Sequence, residues 1–178
     1  MKSIPSDPIL TCAESLVFEK EFFRGDEEHE WQAMNKAGEG VGDALLRDMR
    51  ELRTIPHRPR LLALVGKGHN GGDALIATKR FLRTIPTARA VVVSVAKWEV
   101  CRPLTIRAWE ELKELAEKRI TEIHLDSDIE SNLSEIRQCM ASESGFDASI
   151  DGLLGMQAKL PLRSPLPELI TFLNEEVD

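Results

Sequence analysis

The residues whose types and spacing could do chemistry begin with one short run, Gly66-Lys67-Gly68-His69-Asn70-Gly71-Gly72-Asp73. Gly66, Gly68 and Gly71 satisfy the pattern G-x-G-x-x-G. In such a turn the glycines let the backbone approach a ligand, and the helix that follows offers free amides to a phosphate. A turn that merely needs positive φ angles is the competing reading. Asn70 and Asp73 add an amide oxygen and a carboxylate to the same run. Two later loops also carry polar groups: residues 96–103 with Lys97 and Arg102, and residues 151–161 with Asp151, Gly152, Gly155 and Lys159. A carboxylate beside a glycine at a strand's end, as Asp151 is placed, suits a general base or a cation ligand, with a helix cap or turn residue as the alternative. Lys97 and Arg102 read first as solvated charges, and His69 can be read as a satisfied turn residue. His29, His57 and His124 read as surface or packing residues. The pattern departs from two familiar phosphate loops. No Lys-Ser or Lys-Thr pair closes the turn. The next apolar run leads into Ala96 and Lys97, where a dinucleotide site carries an acidic residue for the ribose.

The elements that must position these groups follow from hydrophobic periodicity. Residues 61–65 (LLALV) form a short apolar run that stops at the glycines, and a helix is predicted over about 73–82. The β-branched run 90–95 (AVVVSV) precedes a helix over about 104–118, and a strand at 120–125 precedes a helix near 129–140. Residues 146–151 form a fourth strand and 165–174 a final helix. Strand and helix alternating in this way predict an α/β fold, a parallel sheet with helices on its faces. Strands this apolar are expected where both faces are covered. Ligands of such sheets sit beyond the carboxyl ends of the strands, so the three loops should converge on one crevice.

Ahead of the sheet, residues 1–10 read as an arm. Thr11 and Glu14 form a capping box for a helix over 11–23 that carries Leu16 and Phe23. Trp31, Met34, Gly38, Val41, Leu45, Met49 and Leu52 recur at helical spacing in a second helix, ended by the segment with Pro56 and Pro59. Gly38, Gly40 and Gly42 lie inside that pattern and point to close helix packing. Both helices are expected to pack on the sheet and to contribute to a homodimer.

The chain of 178 residues carries 23 basic and 30 acidic side chains, a net charge of −7. That balance argues against nucleic-acid or anionic-membrane binding. Hydrophobic residues at 42% and charged residues at 30% are ordinary for one globular domain with a core that needs no disulfide or metal staple. Cys12, Cys101 and Cys139 are scattered, which favours a reducing compartment and argues against a zinc site. With neither a membrane-length apolar run nor a signal peptide's apolar core, a cytoplasmic location is expected. No internal repeat, low-complexity tract or linker divides the chain.

The segment VGKGHNGGDALIATKRFL (65–82) resembles the G-x-G-N-N-G-G-D-G-L-V-A-A-R-x-L signature of NAD(P)H-hydrate epimerases, the YjeF N-terminal domain family. ASIDGLLGMQAKLPLRSPLPELITFLN (148–174) is similar to the family's second signature, and Met34-Asn35-Lys36-Ala37-Gly38 to its Met-Glu-x-Ala-Gly helix. The resemblance covers about residues 10–174 in consistent order. It implies a Rossmann-like three-layer α/β/α domain that interconverts the R and S forms of hydrated NADH and NADPH. It places substrate phosphate and ribose on His69, Asn70, Gly71, Gly72 and Asp73, and further contacts on Gly155, Met156, Gln157, Ala158, Lys159, Leu160 and Pro161. A potassium ion falls to Asn70 and Asp151. Asp151 is the expected proton-moving residue, with Lys97 as a second candidate for a phosphate contact or for polarising the substrate. The resemblance also implies association or fusion with a nucleotide-dependent dehydratase, and a further strand ending in Asp-x-Pro-Ser-Gly beyond Asp178, so a truncated or reduced domain is expected. His69 stands where the family carries an Asn, and the Gly155 loop lacks the family's later glycine. A non-catalytic phosphate-binding or dimerisation scaffold with the same fold is the alternative.

Overall fold

The computed structural model describes residues 9–52, 54–142, 145–156 and 158–176. Two helices, α1 (Cys12–Phe23) and α2 (Glu27–Leu52), precede four strand–helix pairs. These are β1 (Arg60–Val65) with α3 (His69–Thr84), β2 (Arg89–Ser94) with α4 (Pro103–Ala116), β3 (Ile120–His124) with α5 (Ile129–Ser142), and β4 (Ala148–Gly152) with α6 (Leu166–Glu176). Short 3-10 turns at Trp98–Val100 and Glu117–Arg119 flank α4. The strands form one parallel sheet in the order β3-β2-β1-β4. The expected Rossmann-like, three-layer architecture is present.

Every residue of the central strand β1 is buried, as a strand covered on both faces must be. The period of two then divides its side chains between two cores. Leu61, Ala63 and Val65 face α2, α3 and α4, through Met34, Leu75, Phe81 and Leu112. Leu62 and Leu64 face α5 and α6, through Leu133, Ile136, Leu169 and Phe172. Because β2 lies on one side of β1 and β4 on the other, the strand order reverses at β1. The carboxyl ends of β1 and β4 therefore bound the crevice where such sheets hold ligands.

The N-terminal helices depart from expectation. The capping box forms: Thr11 Oγ1 accepts from the Glu14 amide at 3.3 Å, and Glu14 Oε2 accepts from the Thr11 amide at 2.8 Å. Yet α1 buries no residue and does not pack on the sheet. Leu16, Val17, Phe18 and Phe22 point around the helix instead of along one face, so no single neighbour could cover them. The Phe22 ring lies 5.7 Å from that of Phe18 and 4.9 Å from that of His29. Helix α2 reaches the core by lying on α3. A Cβ at Gly38 would stand 2.6 Å from Ile76 Cβ and one at Gly42 2.8 Å from Arg80 Cβ, so both glycines serve close packing. Gly40 faces open space and serves none. The Trp31 ring receives Arg107 at 4.3 Å and Lys79 at 5.8 Å, joining α2, α3 and α4.

Candidate functional site

Helix α3 begins at His69, four residues before the periodicity suggested, so most of the glycine run is its first turn. Gly68 caps it in an extended conformation, and its carbonyl accepts from the amides of Gly71 at 3.0 Å and Gly72 at 3.3 Å. Neither the positive-φ reading nor a purely ligand-facing role explains these glycines. Among the described glycines only Gly25 and Gly145 have positive φ. A Cβ on Gly71 would stand 2.0 Å from the Gly66 carbonyl oxygen, one on Gly66 2.1 Å from that of Leu153, and one on Gly152 2.5 Å from that of Asn70. The end of β1, the start of α3 and the end of β4 thus stack backbone on backbone, and side chains there would separate them. Gly68 alone within the run has open space around it.

The three loops do converge. Asn70, which is exposed, donates from Nδ2 to the Leu154 carbonyl at 2.7 Å and so ties the start of α3 to the loop after β4. Its Oδ1 is left over Gly155, 3.8 Å from where a Cβ would be. From the loop after β2, the Arg102 amide donates to the Lys67 carbonyl at 2.9 Å, and buried Thr105 donates from Oγ1 to the Gly68 carbonyl at 2.9 Å. Asp151 pairs in register with Leu64 and is exposed. Its Oδ1 accepts from the Leu153 amide at 2.9 Å, an Asx turn that aims the carboxylate along its own loop. Among the described residues no hydrogen bond joins Asp151 to the glycine run; Asn70 makes that link. Lys97 is exposed, with a backbone carbonyl that closes the 3-10 turn by accepting from Val100 at 3.1 Å. Past Gly155, the Ala158 amide donates to the Gly155 carbonyl at 3.0 Å, and Met156, Ala158, Lys159, Leu160 and Pro161 are exposed. Gln157 lies outside the described residues.

Two titratable groups stand out in ways that sequence could not signal. Asp73 Oδ1 is buried without a hydrogen-bond partner, and burial pushes its carboxyl up from 3.8 to about 6. His69 is half-buried, with Nε2 3.3 Å from Glu30 Oε1 and 3.2 Å from Arg102 Nη1. Burial holds the imidazole below its usual range, and the Arg102 charge adds to that effect. One ring nitrogen cannot donate to Glu30 and accept from Arg102 together. A neutral ring accepting from Arg102 fits these surroundings. Glu30 was not anticipated as a neighbour of this crest, since it enters from α2.

No group of three or more His, Cys, Asp or Glu side chains suited to a metal is present among the described residues. What the crest offers is oxygen: Asn70 Oδ1, the Asp151 carboxylate and loop carbonyls. That donor chemistry fits a hard, weakly bound cation rather than zinc. No helix among the described residues is long and apolar enough to cross a membrane.

The profile of a family described as YjeF-related protein N-terminus matches residues 30–178, taking in the whole crest and leaving α1 outside. A search of curated proteins gave no match. Among solved structures, that of the yeast protein ynu0 (YNL200c) superposes with a TM-score of 0.66 over 89% of this chain, at 18% identity. At that identity the likeness is one of fold. The chain spans 61% of the yeast chain's length.

Proposed function

The chain belongs to the family of YjeF-related N-terminal domains, and from that premise we propose that it interconverts the R and S forms of hydrated NADH and NADPH. The observation that carries this reading is the crest itself. Asn70 clamps the first turn of α3 to the loop after β4, and the Asp151 carboxylate stands exposed at that strand's end. On this reading the turn from His69 to Asp73 and the loop from Gly155 to Pro161 bind the phosphates and ribose. The amides of His69 and Asn70, which the Gly68 carbonyl does not take, suit the phosphates.

Epimerisation at the hydrated ring carbon requires the hydroxyl to leave one face and return on the other. A proton delivered to the hydroxyl lets it depart as water, with the ring nitrogen supplying electrons to the carbon it leaves. Water then adds to the opposite face and gives the proton back. Asp151 is the group we assign to hold and return that proton, because an exposed carboxylate at a strand's end can reach a bound ring. Lys97, on the neighbouring loop, supplies a positive charge toward the phosphates. The family's potassium ion would be held by Asn70 Oδ1 and Asp151 and would supply a positive charge for the substrate's anionic groups.

The test is chromatographic. Purified protein is incubated with S-enriched hydrate and potassium, and appearance of the R form is followed. Interconversion faster than the spontaneous rate is expected. A rate equal to the spontaneous one refutes the proposal and leaves a non-catalytic domain of the same fold.

A further inference from the structure

We propose that the loop after β2 makes this a site for nucleotides that carry a phosphomonoester on the ribose, hydrated NADPH in preference to hydrated NADH, with Arg102 as the residue that sets the preference. The inference rests on the nucleotide-binding function proposed above and names its substrate more narrowly. In nucleotide-binding parallel sheets, the end of the second strand reads the ribose: an acidic residue takes the free hydroxyls, whereas a nearby arginine accommodates a 2′-phosphate. Here β2 ends at Ser94, whose hydroxyl donates to the Ala96 carbonyl at 2.6 Å and is turned back on its own chain. Val95, Ala96 and Lys97 follow, with no acid among them.

Arg102 stands where an arginine reader belongs. Its amide is fixed to the Lys67 carbonyl at 2.9 Å, and its guanidinium lies against the glycine turn, 3.2 Å from His69 Nε2. Four other arginines, Arg80, Arg83, Arg107 and Arg137, each meet a carboxylate at 2.6 or 2.7 Å. Among the described residues neither Arg102, Lys67 nor Lys97 forms such a pair. The nearby acids do not change this: Glu30 approaches the same His69 nitrogen at 3.3 Å without forming an ion pair with Arg102, and Glu99 is exposed in the loop. Arg102 also caps the start of α4, whose first turn holds no acidic residue. A cation there opposes the helix field, a cost that a bound phosphate offsets. A guanidinium presents paired donors to a phosphate and little to a neutral hydroxyl.

The experiment is titration calorimetry of the full chain, at matched ionic strength, with 2′-phospho-ADP-ribose and ADP-ribose, probes that differ by one phosphate. The phosphorylated probe is expected to bind about tenfold more tightly or better. Arg102→Ala should bring the two within about twofold, and Arg102→Lys should keep part of the difference. Equal affinities in the wild-type chain overturn the proposed preference and leave the nucleotide site standing. A preference that survives Arg102→Ala overturns the assignment to Arg102. Binding of neither probe overturns the preference together with the function on which it rests.

Discussion

Replacing Asp73 by asparagine should make the protein more stable at neutral pH and less active. The carboxyl has a buried oxygen with no hydrogen-bond partner, and burial moves its ionisation from 3.8 to about 6. A displacement of roughly two pH units corresponds to about 3 kcal/mol if fully realised. The side chain keeps partial access to water, and screening reduces the expected effect to about 1–2 kcal/mol. The sign follows from proton linkage. Below 3.8 both folded and unfolded chains hold the proton and no penalty exists; between 3.8 and about 6 the folded state holds the extra proton, so stability falls as pH rises. Above about 6 the whole penalty is present. Urea denaturation of wild type and Asp73→Asn across about pH 4 to 8 reads this directly, because contributions from other groups cancel in the difference. The variant's advantage should grow with pH and reach about 1–2 kcal/mol near pH 7.5, or about 3 to 6 °C in melting temperature. A difference that is absent, or that does not change with pH, refutes the reasoning. A group that costs stability at a binding crest is one kept for function, so the same variant should lose about tenfold or more in epimerisation rate.

Gly71→Ala should destabilise by about 2–3 kcal/mol or prevent folding, since the new methyl meets the Gly66 carbonyl oxygen. Gly40→Ala, in open space within α2, should instead stabilise by about 0.5–1 kcal/mol, and denaturation of both variants checks the contrast. Asp151→Ala should abolish epimerisation while leaving the circular dichroism spectrum and melting temperature unchanged, because the side chain is exposed. Unfolding of that variant, or retention of its full rate, makes Asp151 a turn residue only. With Phe18 and Phe22 exposed on α1, light scattering at about 50 micromolar should give a homodimer, and a monomer there removes this assignment.

Much of the fold was legible because its causes are local. Apolar runs such as 61–65 and 90–95 end where turn residues begin, and their alternation with helical periods leaves few arrangements besides a parallel sheet. The Thr11–Glu14 capping box is a matter of spacing along one chain, and it forms as read. Strand ends face the crevice in any such sheet, so the meeting of the Asn70 turn with the loop at Leu154 followed from topology. The signature in residues 65–82 pointed to the family, which periodicity could not.

Tertiary structure alone decided what depends on distance between segments remote in sequence. Gly66 and Gly71 read as ligand-facing, with positive φ as the competing reading, and only the backbone stacked against them and against Gly152 shows that close packing requires all three. Gly38, Gly40 and Gly42 look alike in sequence, yet α3 lies over Gly38 and Gly42 and leaves Gly40 bare. Nothing in the pattern around Asp73 says that one oxygen is sealed from water, because burial is supplied by neighbouring elements. Glu30, His69 and Arg102 come from α2, α3 and the cap of α4, and they meet at one imidazole nitrogen only because those helices converge on the same end of the sheet. Hydrophobic content placed α1 on the sheet, but its apolar groups are dispersed around the helix, and a face must be continuous before a core can cover it.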